Sequence, residues 1–363
     1  MLWEFLSERL SFRDPHDEGG AKNGRDLMKM FTKAAFAAAV LAVGAMGTAK
    51  AEEANYVLST ASTGGTYYPV GVALSTLVKV KLQPKQKIGM SAISSAGSGE
   101  NVRLIREGEA QFGILQGLFG YYAATGTGPL AEVGPQEHLR SVSMLWQNVE
   151  QFIIAADAAE SGTLSDVTKL SGASMALGRQ NSGTIGSNAA LMAGLGIDIN
   201  EAFDLVYAGY GPSAEALQNG QVKGISTPAG VPTGAVSQLL ASAGDSVKFL
   251  NVTPEELAAA DGGRNLWTPY TIAAGTYPGQ TEDIQTMAQP NFLATHADLP
   301  EEHVYMITKT MYENLPFLQA IHPATKAMAI ESAIAGLPVP LHPGAQRYYE
   351  EVGIEIPARL IAQ

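Results

Sequence analysis

The sequence predicts an α/β protein of two lobes joined by a hinge, with a ligand cleft between the lobes. From Tyr56 onward, short apolar runs alternate with amphipathic stretches, the pattern of repeated β-α units. The pattern begins afresh near Ser174, after a pair of adjacent strand candidates. The chain has 363 residues, 46% of them hydrophobic, which suits about two globular domains.

The N-terminal stretch reads as an export signal. Met28-Lys29-Met30-Phe31-Thr32-Lys33 is a basic start, followed by an apolar run over 34–46 and then Ala49-Lys50-Ala51, an A-x-A cleavage site. A run of 13 residues is too short for the roughly 20 that span a bilayer. The mature chain is therefore expected to begin near Glu52 and to be soluble, monomeric and periplasmic. Residues 1–27 lie upstream of a signal that is complete in itself, so Met28 is the expected start codon.

Strand one is read at 56–61, and the Ser62-Thr63-Gly64-Gly65-Thr66-Tyr67-Tyr68-Pro69 turn opens a helix reaching Val80. A strand at 88–93 leads through Ser94-Ser95-Ala96-Gly97-Ser98-Gly99-Glu100 into a helix ending near Glu107. Strand three, 112–115, ends at Gln116-Gly117. Strands at 139–145 and 151–156 flank Trp146-Gln147-Asn148, with a lobe crossing near Gln151. The second series has a strand at 174–177, a loop at 178–184, a helix at 185–193, a strand at 203–207, a helix at 213–219 and a strand at 224–227. Strands at 270–274 and 291–295 and two or three helices complete the chain. The expected lobes are 52–150 with 275–363, and 151–274, with crossings near Gln151 and Ala274.

Three loops carry the candidate chemistry: 62–67, 97–101 and 181–184. Each sets Ser, Thr and Gly at an expected helix start, where backbone N–H groups lack partners and the helix dipole favours negative charge. Plain N-capping uses the same residues, but three such loops drawn from both lobes point to an anion site between them. The candidate ligand-binding residues are Thr63, Gly64, Gly65, Thr66, Tyr67, Ser98, Ser182, Gly183 and Thr184. Gln116, Arg179, Tyr68, Tyr207 and Tyr210 are further cleft candidates, and Thr227 opens a Pro/Gly loop that borders the cleft.

The chain carries a net charge of −12. Residues 1–51 hold seven basic and six acidic side chains, leaving −13 for the remainder. That balance, without a Lys/Arg run, argues against nucleic acid and anionic lipid as partners, so an anionic ligand needs a locally positive site. Cysteine is absent, which removes thiolate catalysis and Cys-ligated metals. Gly178 and Gly183 keep a G-x4-G spacing, but Thr184 stands where a phosphate-binding loop needs Lys. There is no G-x-S-x-G, H-E-x-x-H or calcium-loop motif, and His138, His296, His303, His322 and His342 fall singly. No enzyme activity, cofactor or metal is expected.

The block Ser59-Thr60-Ala61-Ser62-Thr63-Gly64-Gly65-Thr66-Tyr67-Tyr68-Pro69-Val70-Gly71 resembles the opening of the TAXI family of solute receptors, partners of TRAP transporters. Ser98-Gly99-Glu100-Asn101-Val102-Arg103-Leu104-Ile105, Gly108-Glu109-Ala110-Gln111-Phe112-Gly113, Ser182-Gly183-Thr184, Gly275-Thr276-Tyr277-Pro278-Gly279-Gln280 and Leu341-His342-Pro343-Gly344-Ala345 follow in the family's order. Ser95-Ala96-Gly97 departs from an expected Gly-rich approach, and Arg179-Gln180-Asn181 adds a cation to the second-lobe loop. The resemblance implies a type II periplasmic-binding-protein fold. It also implies a small organic acid or acidic amino acid as ligand, glutamate or a dicarboxylate such as 2-oxoglutarate, and TRAP membrane subunits as partners. A receptor for an ABC-type importer or a sensor would share the fold, and an exported enzyme on this scaffold is the alternative of a different class.

Overall fold

The computed structural model describes residues 53–362, so the expected signal segment, its cleavage site and the Met28 start lie outside the described residues. The first sheet has six strands: β1 (Ala54–Ser59), β2 (Ile88–Ile93), β3 (Phe112–Gln116), β4 (Leu139–Val149), β10 (Thr268–Ile272) and β11 (Ile284–His296). The second has five: β5 (Phe152–Ala155), β6 (Ser174–Ala176), β7 (Asp204–Leu205), β8 (Gly224–Ser226) and β9 (Val247–Phe249).

In the first sheet the order is β10-β11-β3-β1-β2, with β4 also paired to β11. β1 runs parallel to β2 and β3, whereas β11 is antiparallel to β3, β4 and β10. The second sheet, β7-β6-β8-β5-β9, repeats the scheme: β6 is parallel to β7 and β8, and β5 is antiparallel to β8 and β9. All five residues of β3 are buried, as in a strand covered by helices on both faces.

Three helices follow parallel strands of the first sheet: α1 (Tyr67–Gln86), α2 (Ser98–Arg106) and α3 (Gly117–Thr125). The second series supplies α4 (Gly183–Gly194), α5 (Tyr210–Gln218), α6 (Gly234–Ala243) and α7 (Pro254–Asp261). α8 (Glu301–Glu313) and α9 (Pro343–Glu351) come from the C-terminal segment. α2 illustrates how pattern becomes packing: Asn101, Val102, Leu104 and Ile105 are buried, while Arg103 pairs with Glu107 one turn on across the solvent face.

The core divides along the two long strands of the first sheet, β4 and β11. Val142, Met144 and Trp146 of β4 and Phe292 and Leu293 of β11 pack in the first core with Leu58, Phe112 and Ile114. Val149, Ile153, Ile225, Tyr277, Ile284 and Ala288 share a core under the second sheet, and Met287 packs with Phe152 and Met175. Residues 277–288 thus take their apolar contacts from the second sheet's cores, although 275–363 were expected with the first lobe.

Several local expectations are corrected. Trp146-Gln147-Asn148 does not interrupt two strands but lies within β4, which runs unbroken for 11 residues because β11 offers a partner along its length. The expected strand 203–207 shortens to Asp204–Leu205, an edge pairing with β6 alone. α1 runs on to Gln86 past Val80, tolerating Pro84 in its last turn. The histidines are not all solitary, since His138 stacks on His296 with ring centroids 5.1 Å apart.

Candidate functional site

The cleft forms where the C-terminal ends of the parallel strands of both sheets face each other. Open α/β sheets place their loops and ligand crevices at this edge. Its lining includes Ser62, Gly65, Thr66 and Tyr67 after β1, Gly97 and Ser98 after β2, and Gln116 at the end of β3. From the second sheet come Arg179, Ser182, Gly183 and Thr184 after β6, Gly209 and Tyr210 after β7, and Pro228 and Ala229 after β8. Asn148, near the end of β4, completes the wall.

Five helices begin in this lining. Thr66 caps α1, Gly97 caps α2, Gln116 caps α3, Ser182 caps α4 and Gly209 caps α5. Ser182 is a full side-chain cap, its Oγ accepting from Ile185 N at 3.0 Å. The first N–H groups of such helices have no intrahelical acceptor, and each dipole places partial positive charge at that end. Arg179, an exposed residue at the rim, adds a full cation.

Buried hydrogen bonds hold the first-sheet loops in place. Asn101 Nδ2 donates to Thr60 O at 2.7 Å and to Ile114 O at 2.9 Å, and its Oδ1 accepts from Ser95 Oγ at 2.7 Å. One side chain therefore ties the loops after β1 and β2 to strand β3. Ser98 Oγ accepts from Gln116 N at 3.1 Å, which leaves its hydroxyl hydrogen to donate. Tyr67 is buried; its hydroxyl donates to Asn291 Oδ1 in a short contact, and burial pushes the phenol well above its usual range. Tyr210 is likewise driven upward by burial, its hydroxyl donating to Pro228 O at 2.6 Å and lying 2.9 Å from Thr184 Oγ1.

The two sets of loops touch directly. Gln116 Nε2 donates to Gly183 O at 2.9 Å, Glu100 N to Asn181 O at 2.9 Å, Arg179 Nη1 to Ser95 O at 3.1 Å, and Thr66 Oγ1 to Gly230 O at 2.9 Å. Two glycines make this approach possible. A Cβ on Gly183 would stand 2.6 Å from Gln116 Oε1, and one on Gly99 would stand 2.5 Å from Asn181 O.

Of the candidate residues, the structure brings together Gly65, Thr66, Tyr67, Ser98, Gln116, Arg179, Ser182, Gly183 and Thr184. Thr63, Gly64 and Thr227, also expected at the cleft, stand outside this lining. Thr63 is exposed, Gly64 O accepts from Ala235 N at 3.3 Å, and Thr227 is buried behind Pro228 with its backbone N–H on Gln151 O. Tyr207 faces an adjoining outer groove and Tyr68 lines neither space. Asn148 was missed because its segment reads as a break between strands, and Gly209 because the strand before it is so short.

Solved structures with this architecture include several that are distant in sequence. MatC of Rhodopseudomonas palustris, solved with bound malate, is 16% identical, with a TM-score of 0.51 over 82% of this chain and 96% of that one. A TRAP periplasmic solute-binding protein of Anaerococcus prevotii, solved with glucuronate, is 15% identical, with a TM-score of 0.41 over 84% of this chain and 86% of that one. The alkanesulfonate-binding protein SsuA of Xanthomonas axonopodis pv. citri, bound to MOPS, is 12% identical, with a TM-score of 0.41 over 83% and 84%. The likeness to MatC shows the two-lobed periplasmic-binding-protein fold. The model of the NMT1-like family matches residues 58–353, and the chain belongs to that family.

Proposed function

We propose that this protein is an extracytoplasmic solute-binding receptor that captures a small organic acid or acidic amino acid between its lobes and delivers it to the membrane subunits of a TRAP transporter of the TAXI type. The observation that carries this reading is the convergence of five helix N-termini and Arg179 on one cleft. A protein of net charge −12 repels anions at long range. Capture therefore has to come from short-range donors, and helix starts supply them without the cost of burying free cations. Glutamate and 2-oxoglutarate are the candidate ligands, each carrying carboxylates that such donors would bind.

The cleft works as a two-state element. We assign the lobes as the cores pack: one built on the first sheet, the other on the second, with crossings at Val149–Gln151 and inside β11 near Ala288–Pro290. Ligand stabilises the closed arrangement in which Gln116 meets Gly183 and Arg179 meets Ser95, because only there do both sets of helix starts reach it. The closed lobes then offer the membrane subunits a surface absent from the open form.

Thermal-shift screening of organic acids, acidic amino acids and neutral sugars tests the reading. Stabilisation by acids is expected, as is an acid carried through purification and seen by mass spectrometry. Stabilisation by neutral sugars alone would contradict it.

A further inference from the structure

The charges around the cleft are unbalanced in one direction. Arg179 is a cation in the lining, and among the described residues no Asp or Glu lines it. The carboxyl groups two residues from Ser98 and Asn148 in sequence have partners of their own. Glu100 faces the outer groove, where it accepts from Ala96 N and lies 3.9 Å from Arg103. Glu150 is not itself in the lining, although its charge is felt by Tyr67 and Tyr210, and Trp267 Nε1 donates to its Oε1 at 3.0 Å and Gln289 Nε2 at 3.4 Å. An ammonium group drawn into this space would meet a guanidinium and the positive ends of helices, with no carboxylate to pair it.

Asn148 puts a buried neutral amide in this lining. It is 1% exposed yet lines the cleft, and its side chain's one hydrogen bond is a long contact of 3.5 Å from Nδ2 to Gln116 Oε1. Gln116 fixes the sense of that contact: its Nε2 is spent on Gly183 O, so its Oε1 turns to Asn148. An Asn side chain carries two N–H donors and a carbonyl acceptor, so most of its capacity is left for a bound molecule.

Resting on the reading of the chain as an organic-acid receptor, we infer that the cleft takes carboxylates that carry no ammonium group, and that Asn148 sets this choice by being a neutral amide. A keto, hydroxyl or unsubstituted carbon beside the carboxylate costs nothing in this field. An ammonium group there loses its hydration to a site that offers only neutral acceptors.

The test is calorimetry on protein made from the full sequence, using pairs that differ at that one carbon: 2-oxoglutarate against L-glutamate, and succinate against L-aspartate. The acids without ammonium are expected to bind at least about tenfold more tightly, the worth of one unmet charged hydrogen bond. Asn148→Asp is expected to narrow or reverse that ratio. Should this variant not fold, the wild-type ratio still decides the ligand class, and Asn148→Ser, smaller and neutral, is expected to keep the preference. Equal or tighter binding of the amino acids, or an unchanged ratio in folded Asn148→Asp, would overturn the inference and leave the receptor reading standing. Binding of neither class alongside binding of a neutral sugar would remove the receptor reading itself, and the inference with it.

Discussion

Asp166 and Glu150 are both fully buried carboxyl residues, one in the outer turn of the second lobe and the other where the chain crosses between sheets. Burial works against ionisation at both. At Asp166 it is outweighed by the N–H groups of Ser161, Gly162 and Glu160 and the Ser161 hydroxyl, which draw the carboxyl down to about 2. At Glu150 burial prevails over the donors of Trp267 and Gln289, lifting the carboxyl to about 7, and Oε2 has no hydrogen-bond partner. Other unpartnered polar atoms gather along the same crossing: Trp146 Nε1, Gln147 Oε1, Thr227 Oγ1 and Asn291 Nδ2. The outer turn is finished structure, whereas the crossing holds its polar groups short of partners, as expected of an element that exchanges partners when the lobes move.

The largest expected effect breaks the finished side of that contrast. Asp166→Ala strands four donors that now converge on one carboxylate, and a loss of roughly 3 kcal/mol of stability at neutral pH is expected. Because the folded pKa lies below the unfolded one, Asp166 stabilises above about pH 4, and this contribution fades as pH falls toward 2. Chemical denaturation at pH 7 and pH 3 checks this: the gap between variant and parent should shrink at the lower pH. A constant gap would mean that the charge plays no part.

Glu150 carries the opposite sign. Its folded pKa is raised, so the native state keeps a proton that the unfolded chain releases near pH 4.5, and stability falls as pH rises from about 4.5 to about 7. Glu150→Gln keeps the shape and removes the titration. It should match the parent near pH 5 and exceed it at pH 8 by up to roughly 3 kcal/mol. A difference that does not depend on pH would show that Glu150 is not held protonated.

A smaller effect should appear at the cleft. Gly183→Ala places a methyl group against Gln116 Oε1 and Ser98 Oγ, which would stand 2.6 and 2.7 Å from an ideal Cβ. Both are side-chain atoms able to shift, so the melting temperature without ligand should hardly move. Acid affinity should fall about tenfold because the lobes cannot meet as closely. Equal affinity in variant and parent would show that the Gln116–Gly183 contact is not needed for the bound state.

The sequence made the cleft's helix starts legible because Ser, Thr and Gly at the end of a strand have few other uses. Ser98 and Ser182 were found from chemistry alone, and Gln116 from its place at the end of an apolar strand. What could not be read was set by partners distant in sequence. Asn148 belongs to a strand only because β11 pairs with it from Ala288 to His296. The second crossing we propose, inside β11, depends on which core Met287 and Ala288 enter and not on any turn residue. α6, built largely of Ala, Gly, Ser and Leu, and the three-residue β9 carry too little periodicity to stand out.

The central claim is that the helix starts and Arg179 together form an anion site between the lobes. Calorimetric titration of the acid identified by screening, compared across the parent, Ser182→Ala and Arg179→Ala, tests it most directly. Each variant should keep its fold and lose about ten- to a hundredfold in affinity, the range for one charged hydrogen bond in a closed site. Unchanged affinity in both variants would contradict an anion site at the start of α4.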